Sequence, residues 1–293
     1  MRVRVATLTT AEVVGFTAAA LVGFAANSLL TRGALAASRI DPASFLAVRF
    51  GSGTAALWFL SRSRERSTQP DPANNWPSAL ALAGYGVLFT FAYTRIGAGL
   101  GALTAFGAVQ TTMIAAGVRA GERPSWIDVG GLLIAIAGLL TLTVPGATAP
   151  PIIGIALMAG AGICWGVYSL RGRRSRDPLV STADNFMRTV PIGLAVLALG
   201  WQSAFVTPMG VLLAVISGAV TSGVGYALWY AALPQLTAWR AAVIQLLVPV
   251  LTVAAAIVML GESMTTRIAV AGALIIGGVL LSLTAPRTPR NAQ

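Results

Sequence analysis

The amino-acid sequence predicts an all-α integral membrane protein: ten transmembrane helices arranged as two five-helix repeats, inverted relative to one another. Three observations predict it. Of the 293 residues, 56% are hydrophobic and only 10% charged, with a mean hydropathy of +0.78, which is more apolar surface than one soluble core can hide. The apolar residues fall into ten runs of roughly 20, the length needed to cross a hydrocarbon core of about 30 Å. Finally, one pattern occurs twice. Gly121-Glu122 and the apolar run to Gly138 return at Gly261-Glu262 and Gly278, a shift of 140 residues, while Gly15, Gly23, Arg32 and Arg49 return at Gly154, Gly162, Arg171 and Arg188, a shift of 139. One residue has therefore entered the second copy between Arg188 and Gly261. Five spans carry a chain across a bilayer, so the second copy, 148–293, lies upside down relative to the first, 1–147, an architecture of secondary transporters.

The first span, 10–31, follows Arg2 and Arg4. Its apolar stretch exceeds a secretory h-region and nine spans follow, so it reads as a retained helix and not as a signal cleaved near Ala25-Ala26. The second, 42–61, carries Arg49. In the third, 76–94, Tyr85, Phe89 and Tyr93 recur at i, i+4, i+8 and so share one helix face. The fourth, 98–118, holds Gln110 and follows Gly97, which stands four residues before Gly101. The fifth, 125–144, is introduced by Gly121-Glu122. The sixth, 150–170, contains Trp165 and Tyr168, and Gly162 four residues before Gly166; glycines at that spacing permit close helix contact. In the seventh, 182–200, Asp184 and Arg188 stand at i, i+4, where an ion pair forms naturally, and Pro191 interrupts the helical hydrogen bonding. The eighth, 208–232, is delimited by Trp201-Gln202 to Pro208 and by Pro234-Gln235, and places Tyr226, Trp229 and Tyr230 on one face. The ninth, 236–260, holds Gln245 and a bend-forming Pro249, and the tenth covers 267–285. Trp58, Trp76, Trp126 and Trp201 sit near span ends as interfacial anchors.

Charge reports orientation. All twenty basic residues are arginine and give a net charge of +11, but fourteen of them fall on the side of the amino terminus and four on the other, with Arg49 and Arg188 inside spans. The positive-inside rule places both termini in the cytoplasm, and this distribution, unlike a basic face, does not suggest nucleic acid as a partner. With no histidine and the single cysteine Cys164, histidine acid–base catalysis, a Cys–His nucleophile and a structural disulfide are excluded. The nine acids lie in loops or near span ends, so no carboxylate stands at mid-span to relay protons. No metal or cofactor site is expected.

The paired five-span halves, the Gly-Glu before the last span of each half, the arginine in each second span (Arg49, Arg188) and Pro249-Val250 together resemble the drug/metabolite transporter superfamily, EamA type, over nearly the whole chain. Trp165-Gly166-Val167-Tyr168 and Tyr226-Ala227-Leu228-Trp229 resemble the bacterial aromatic and neutral amino-acid exporters. Where those exporters carry an aromatic followed by proline in the fourth span, this chain has Ala108-Val109. The resemblance implies a central cavity between the halves, lined mainly by the first, third, fourth, sixth, eighth and ninth spans, and export of amino acids or related small metabolites across the bacterial inner (plasma) membrane by alternating access.

Candidate substrate-binding residues on those spans are Tyr85, Phe89, Tyr93, Trp165, Tyr168, Tyr226, Trp229 and Tyr230, which could equally fill inter-helix space. Asn27, Gln110 and Gln245 are uncharged polar groups deep in spans. An unsatisfied amide in hydrocarbon costs several kcal/mol, so they bind substrate or tie helices together. Gly97, Gly101, Pro191 and Pro249 suit hinges or gates. Arg49 has no acid one turn away and, on a span peripheral to the cavity, reads as structural or gating; basic residues at mid-span, as phosphate-like substrates would require, are not expected. Lacking a central acid, the transporter is expected to work by facilitated diffusion, as a monomer, with the bilayer and a small molecule as partners. The alternative is a proton-coupled multidrug or metabolite pump using Glu12, since Ala11-Glu12-Val13-Val14-Gly15 resembles the glutamate-bearing stretch of small multidrug pumps, although Glu12 lies near the cytoplasmic end of its span. A lipid scramblase or membrane enzyme would need a polar groove or an acid site that the sequence does not offer.

Overall fold

The computed structural model describes residues 8–64, 71–96, 98–143, 152–260 and 263–284. Gly97, Gly261 and Glu262 lie outside these residues. Helices α1 (Thr10–Leu35), α2 (Pro42–Ser61), α3 (Trp76–Tyr93), α4 (Ala98–Arg119), α5 (Trp126–Thr143), α6 (Ile152–Gly172) and α7 (Pro178–Leu199) are the first seven spans. The eighth runs through α8 (Pro208–Ile216), a π-helical stretch at Ser217–Val224 and α9 (Gly225–Ala232); the ninth through α10 (Ala238–Gln245) and α11 (Leu247–Leu260); the tenth is α12 (Thr266–Thr284).

Capping explains where the helices begin, and it uses the acids. Glu12 and Thr9 form a reciprocal capping box on α1, with the Thr9 amide donating to Glu12 at 2.7 Å. Asp41 accepts from the amides of Ala43 and Ser44 ahead of α2, and Asp128 and Ser125 cap α5 reciprocally. Each satisfies amides that a helix start leaves open. Asp177 caps α7 four residues before the expected boundary. The polar run Ser181, Thr182, Asn185 belongs to the span because those side chains are wholly buried against protein.

Among the described residues, eight helical runs are long and apolar enough to cross a bilayer by themselves. The other two, α3 and α7, complete ten by packing: α3 lies on α6 and α7 on α2, and their polar residues point away from lipid. The outward surface is correspondingly apolar. Leu133, Leu194, Val220 and Leu280 are more than half exposed there, a composition tolerable only where the solvent is hydrocarbon. Trp58, Trp76, Trp126 and Trp201 are also exposed, each at or near a helix end.

The inversion is visible in the packing. Helices α5 and α12, the last of each half, form the most extensive pair. A Cβ on Gly131 would run into the carbonyl of Gly278, and one on Gly278 into the carbonyl of Gly131, while Gly138 faces Ala271 and Ile275. Under the 140-residue shift Gly131 corresponds to Ala271 and Gly138 to Gly278. Each residue thus meets the partner's counterpart of the other, in antiparallel order, which is the signature of a two-fold axis between the helices. The pairs α3·α6 and α4·α6 are likewise mirrored by the eighth span with α1 and by α11 with α1.

Two spans depart from straight α-helix. The hydroxyls of Ser217 and Thr221 in the π-helical stretch both donate to the Asn27 side-chain oxygen Oδ1 on α1. In the ninth span the helix breaks at Leu246, just upstream of Pro249, whose ring leaves the Gln245 carbonyl without its helical amide partner.

Candidate functional site

A cavity of about 300 Å³ opens between the halves. Its walls come from α1 (Phe24, Ser28, Arg32), α3 (Tyr85, Phe89, Tyr93), α4 (Gly101 to Val109), α5 (Leu142, Thr143), α6 (Ala161, Gly162, Trp165), the ninth span (Gln245, Pro249, Thr252) and the start of α12 (Arg267, Ile268). Arg32, Tyr93, Thr143 and Arg267 stand at helix ends on one side of the bundle and form the mouth. The floor lies at mid-span. There Trp165 is wedged against Phe24, Tyr85 and Tyr226, with ring centroids 5.1, 5.0 and 4.7 Å away, and its indole N–H donates to the Gln245 Oε1 at 2.6 Å. The Gln245 amide nitrogen donates to the Ala241 carbonyl, so the side chain is held rigidly beneath the cavity.

Below this floor the bundle is closed. Tyr168 stacks on Tyr230 at 4.5 Å, the Tyr230 hydroxyl donates to the Tyr168 carbonyl, and Trp229 Nε1 donates to Ser169. At the rim, Glu122 accepts from the Ala238 and Trp239 amides at the start of α10 and pairs with Arg173 at 2.9 Å. The guanidinium of Arg171 donates to Ser78 and Asn75. Asp71, from the α2–α3 loop, accepts from the Arg176 and Asp177 amides and from Ser175 and Ser181. The bundle is thus open on one side and sealed on the other by contacts between the halves.

Sequence models bear on what this arrangement is for: the EamA-like transporter family matches residues 12–144 and again 152–284. The chain belongs to that family. The transporter is 43% identical to an uncharacterized protein of Pseudomonas aeruginosa over 91% of its own length and 92% of the relative's. It is 28% identical to a probable amino-acid metabolite efflux pump of Salmonella typhimurium, covering 72% of this chain and 79% of that one. A crystal structure at 24% identity superposes with a TM-score of 0.75 over 91% of this chain and 98% of the other, which establishes the shared fold.

Of the residues singled out from the sequence, Tyr85, Phe89, Tyr93, Trp165 and Gln245 meet around the transporter's cavity, and Gly101 and Pro249 line it. The others lie elsewhere. The eighth span supplies no wall, against the expectation, because Tyr226, Trp229 and Tyr230 belong to its sealed half and are almost wholly buried, as is Tyr168. Asn27 ties α1 to the π-helical stretch, and Gln110 donates to the Ala242 carbonyl at 2.7 Å, tying α4 to α10; for both amides the helix-tying alternative describes the geometry. Asp184 and Arg188 are joined through Asn74, whose amide donates to Asp184 at 2.7 Å and whose oxygen accepts from Arg188 at 2.6 Å. Pro191 lies on the exposed face of α7, which continues through it. Glu12 is spent on its capping box at the sealed side and is remote from the cavity.

Three wall features went unread. Phe24, Ser28 and Arg32 repeat at i, i+4, i+8 on α1, the same signal that marked Tyr85, Phe89 and Tyr93. Helices α5 and α12 contribute to the mouth through Thr143 and Arg267. The largest departure is Arg49. It is 1% exposed and sits in the middle of the bundle, its Nε donating to Ser222 at 3.0 Å and its Nη2 to the Tyr226 hydroxyl at 2.8 Å. Arg49, read from its span as structural or gating, is therefore wholly buried in protein.

Proposed function

We propose that this protein exports amino acids, neutral and aromatic ones foremost, and related small metabolites across the bacterial inner membrane by alternating access, with halves 1–147 and 148–293 rocking about the axis between α5 and α12. The observation that carries this reading is the cavity. It reaches from one face to an aromatic floor at mid-span, is built from both repeats, and is sealed beneath by contacts between them. With both termini cytoplasmic, as the arginine distribution supports, this is the outward-open state. A volume of about 300 Å³ lies at the small end of ligand pockets, in keeping with a single amino acid. Flat aromatic walls favour apolar or ring-bearing side chains, and the name of the Salmonella relative supports the substrate class. Among the described residues none of the cavity's lining side chains is acidic, which supports facilitated diffusion without proton coupling.

Uptake of radiolabelled amino acids into proteoliposomes, with and without imposed pH and potential gradients, tests the proposal. Equilibrating uptake, saturable and indifferent to the pH gradient, is the expected result. Accumulation above equilibrium only under a proton gradient would replace uniport by coupling, and no flux of any amino acid would overturn the substrate class.

A further inference from the structure

A buried guanidinium normally answers to a carboxylate, yet the groups bonded to Arg49 are the hydroxyls of Ser222 and Tyr226. Its Nη1 is buried without a hydrogen-bond partner among the described residues. On the cavity side the guanidinium faces the Tyr85 ring, with 5.6 Å between Cζ and the ring centroid, and that same ring is part of the cavity wall. One aromatic ring thus stands between the cavity and a cation whose hydrogen-bond partners are hydroxyls, and among the described residues no acidic side chain lines the cavity to neutralise it.

We propose that the floor of the cavity is a carboxylate site whose cation is Arg49, covered by Tyr85, and that this charge selects acids over their neutral or amine counterparts. The proposal rests on the reading of the cavity as the substrate site and goes further by naming the recognised group. The charge of a buried guanidinium acts through a ring with less screening than in water. The hydroxyls of Ser222 and Tyr226 orient the fork and leave its remaining N–H groups for a ligand, as suits bidentate capture of a carboxylate. A substrate carboxylate would supply the counter-charge that the protein omits, and a displacement of the Tyr85 ring would let the two meet directly. An ammonium group, if present, would be left toward the faces of Phe89 and Tyr93, where a cation is tolerated.

Binding to the purified full-length protein tests this apart from transport, using 3-phenylpropionate, its amide and 2-phenylethylamine as probes and tryptophan fluorescence as the readout. The acid is expected to bind at least tenfold tighter than the amide, with the amine weakest. Arg49→Met should bring the acid-to-amide ratio close to one, whatever the change in absolute affinity. Tyr85→Leu, which uncovers the guanidinium, should raise the ratio even as both affinities fall, and it serves as the decisive variant if Arg49→Met does not fold. Equal binding of acid and amide by the wild type, no binding of the acid, or a ratio unchanged in Arg49→Met would each overturn the site. A ratio lost in Arg32→Gln but kept in Arg49→Met would move the selectivity to the mouth and also overturn it. Amino-acid flux in proteoliposomes decides the export reading separately, whichever way the ratio falls.

Discussion

Trp165 and Gln245 show why two polar groups can sit under an apolar cavity. Each satisfies the other at 2.6 Å, and Gln245 anchors its nitrogen on Ala241, so neither leaves an open donor in a dry floor. Gln245→Leu removes the acceptor and leaves the indole N–H buried, at a cost of about 1–3 kcal/mol. It should therefore lower the thermal stability measured in detergent and reduce amino-acid uptake by roughly tenfold, whereas Trp165→Phe, which deletes the donor and keeps a ring, should cost less on both counts. Wild-type behaviour of Gln245→Leu would mean the bond does not hold the floor. The residue scale is also where sequence reading was weakest. Tyr85, Phe89 and Tyr93 were legible because their spacing is a property of one helix. Tyr226 and Trp229 looked equivalent, yet they face the sealed half because the rotation of the eighth span is set by Asn27 and Arg49 on other helices.

At the element scale the most extensive seam is between α5 and α12, and two adjacent glycines on α12 separate packing from propensity. A Cβ at Gly278 would meet the Gly131 carbonyl and the Ala135 amide, both backbone that cannot step aside, while one at Gly277 would meet nothing within 4 Å. Gly278→Ala should destabilise the protein by about 1–3 kcal/mol, the usual cost of overpacking. Gly277→Ala should be neutral or gain up to about 1 kcal/mol from helix propensity. Thermal unfolding of the pair reads the difference, and equal effects would argue against the antiparallel seam. Span positions were legible because an apolar run of membrane length is a local property. The π-helical stretch and the break at Leu246 were not, since both depend on which polar partners the neighbouring helices offer.

The whole molecule is held in its present state from the sealed side, and two experiments probe that. With Cys164 replaced by serine, a cysteine at Arg32, exposed at the mouth, should react with a membrane-impermeant thiol reagent added outside intact cells, while one at Ser169, buried below the floor, should stay protected. Glu122→Ala, which removes the cap on α10 and the partner of Arg173, should raise labelling at Ser169→Cys once the inner face is exposed in inverted vesicles; reaction at Arg32→Cys only from the inside would reverse the orientation. The Asp71 latch carries a pH signature. Burial pushes its pKa up, but the Asp177, Ala73 and Arg176 amides and the Ser181 hydroxyl outweigh this and hold it below the ordinary 3.8. A depressed folded pKa means the contribution to stability is complete above about pH 5 and is lost as pH falls through the folded value. Asp71→Asn should therefore lower the melting temperature at pH 7, and the gap from wild type should close toward pH 3. The sequence by itself determined the number of spans, the inversion and the family, because run length and the 139- and 140-residue shifts are one-dimensional quantities that no packing alters. Only the tertiary structure decided which faces meet at the cavity, which side is open, and that Arg49 lies in the core with no carboxylate partner among the described residues. Those outcomes depend on contacts such as Arg49 to Ser222 and Tyr226, 173 and 177 residues apart in the chain, and periodicity within a single helix carries no information about its partners.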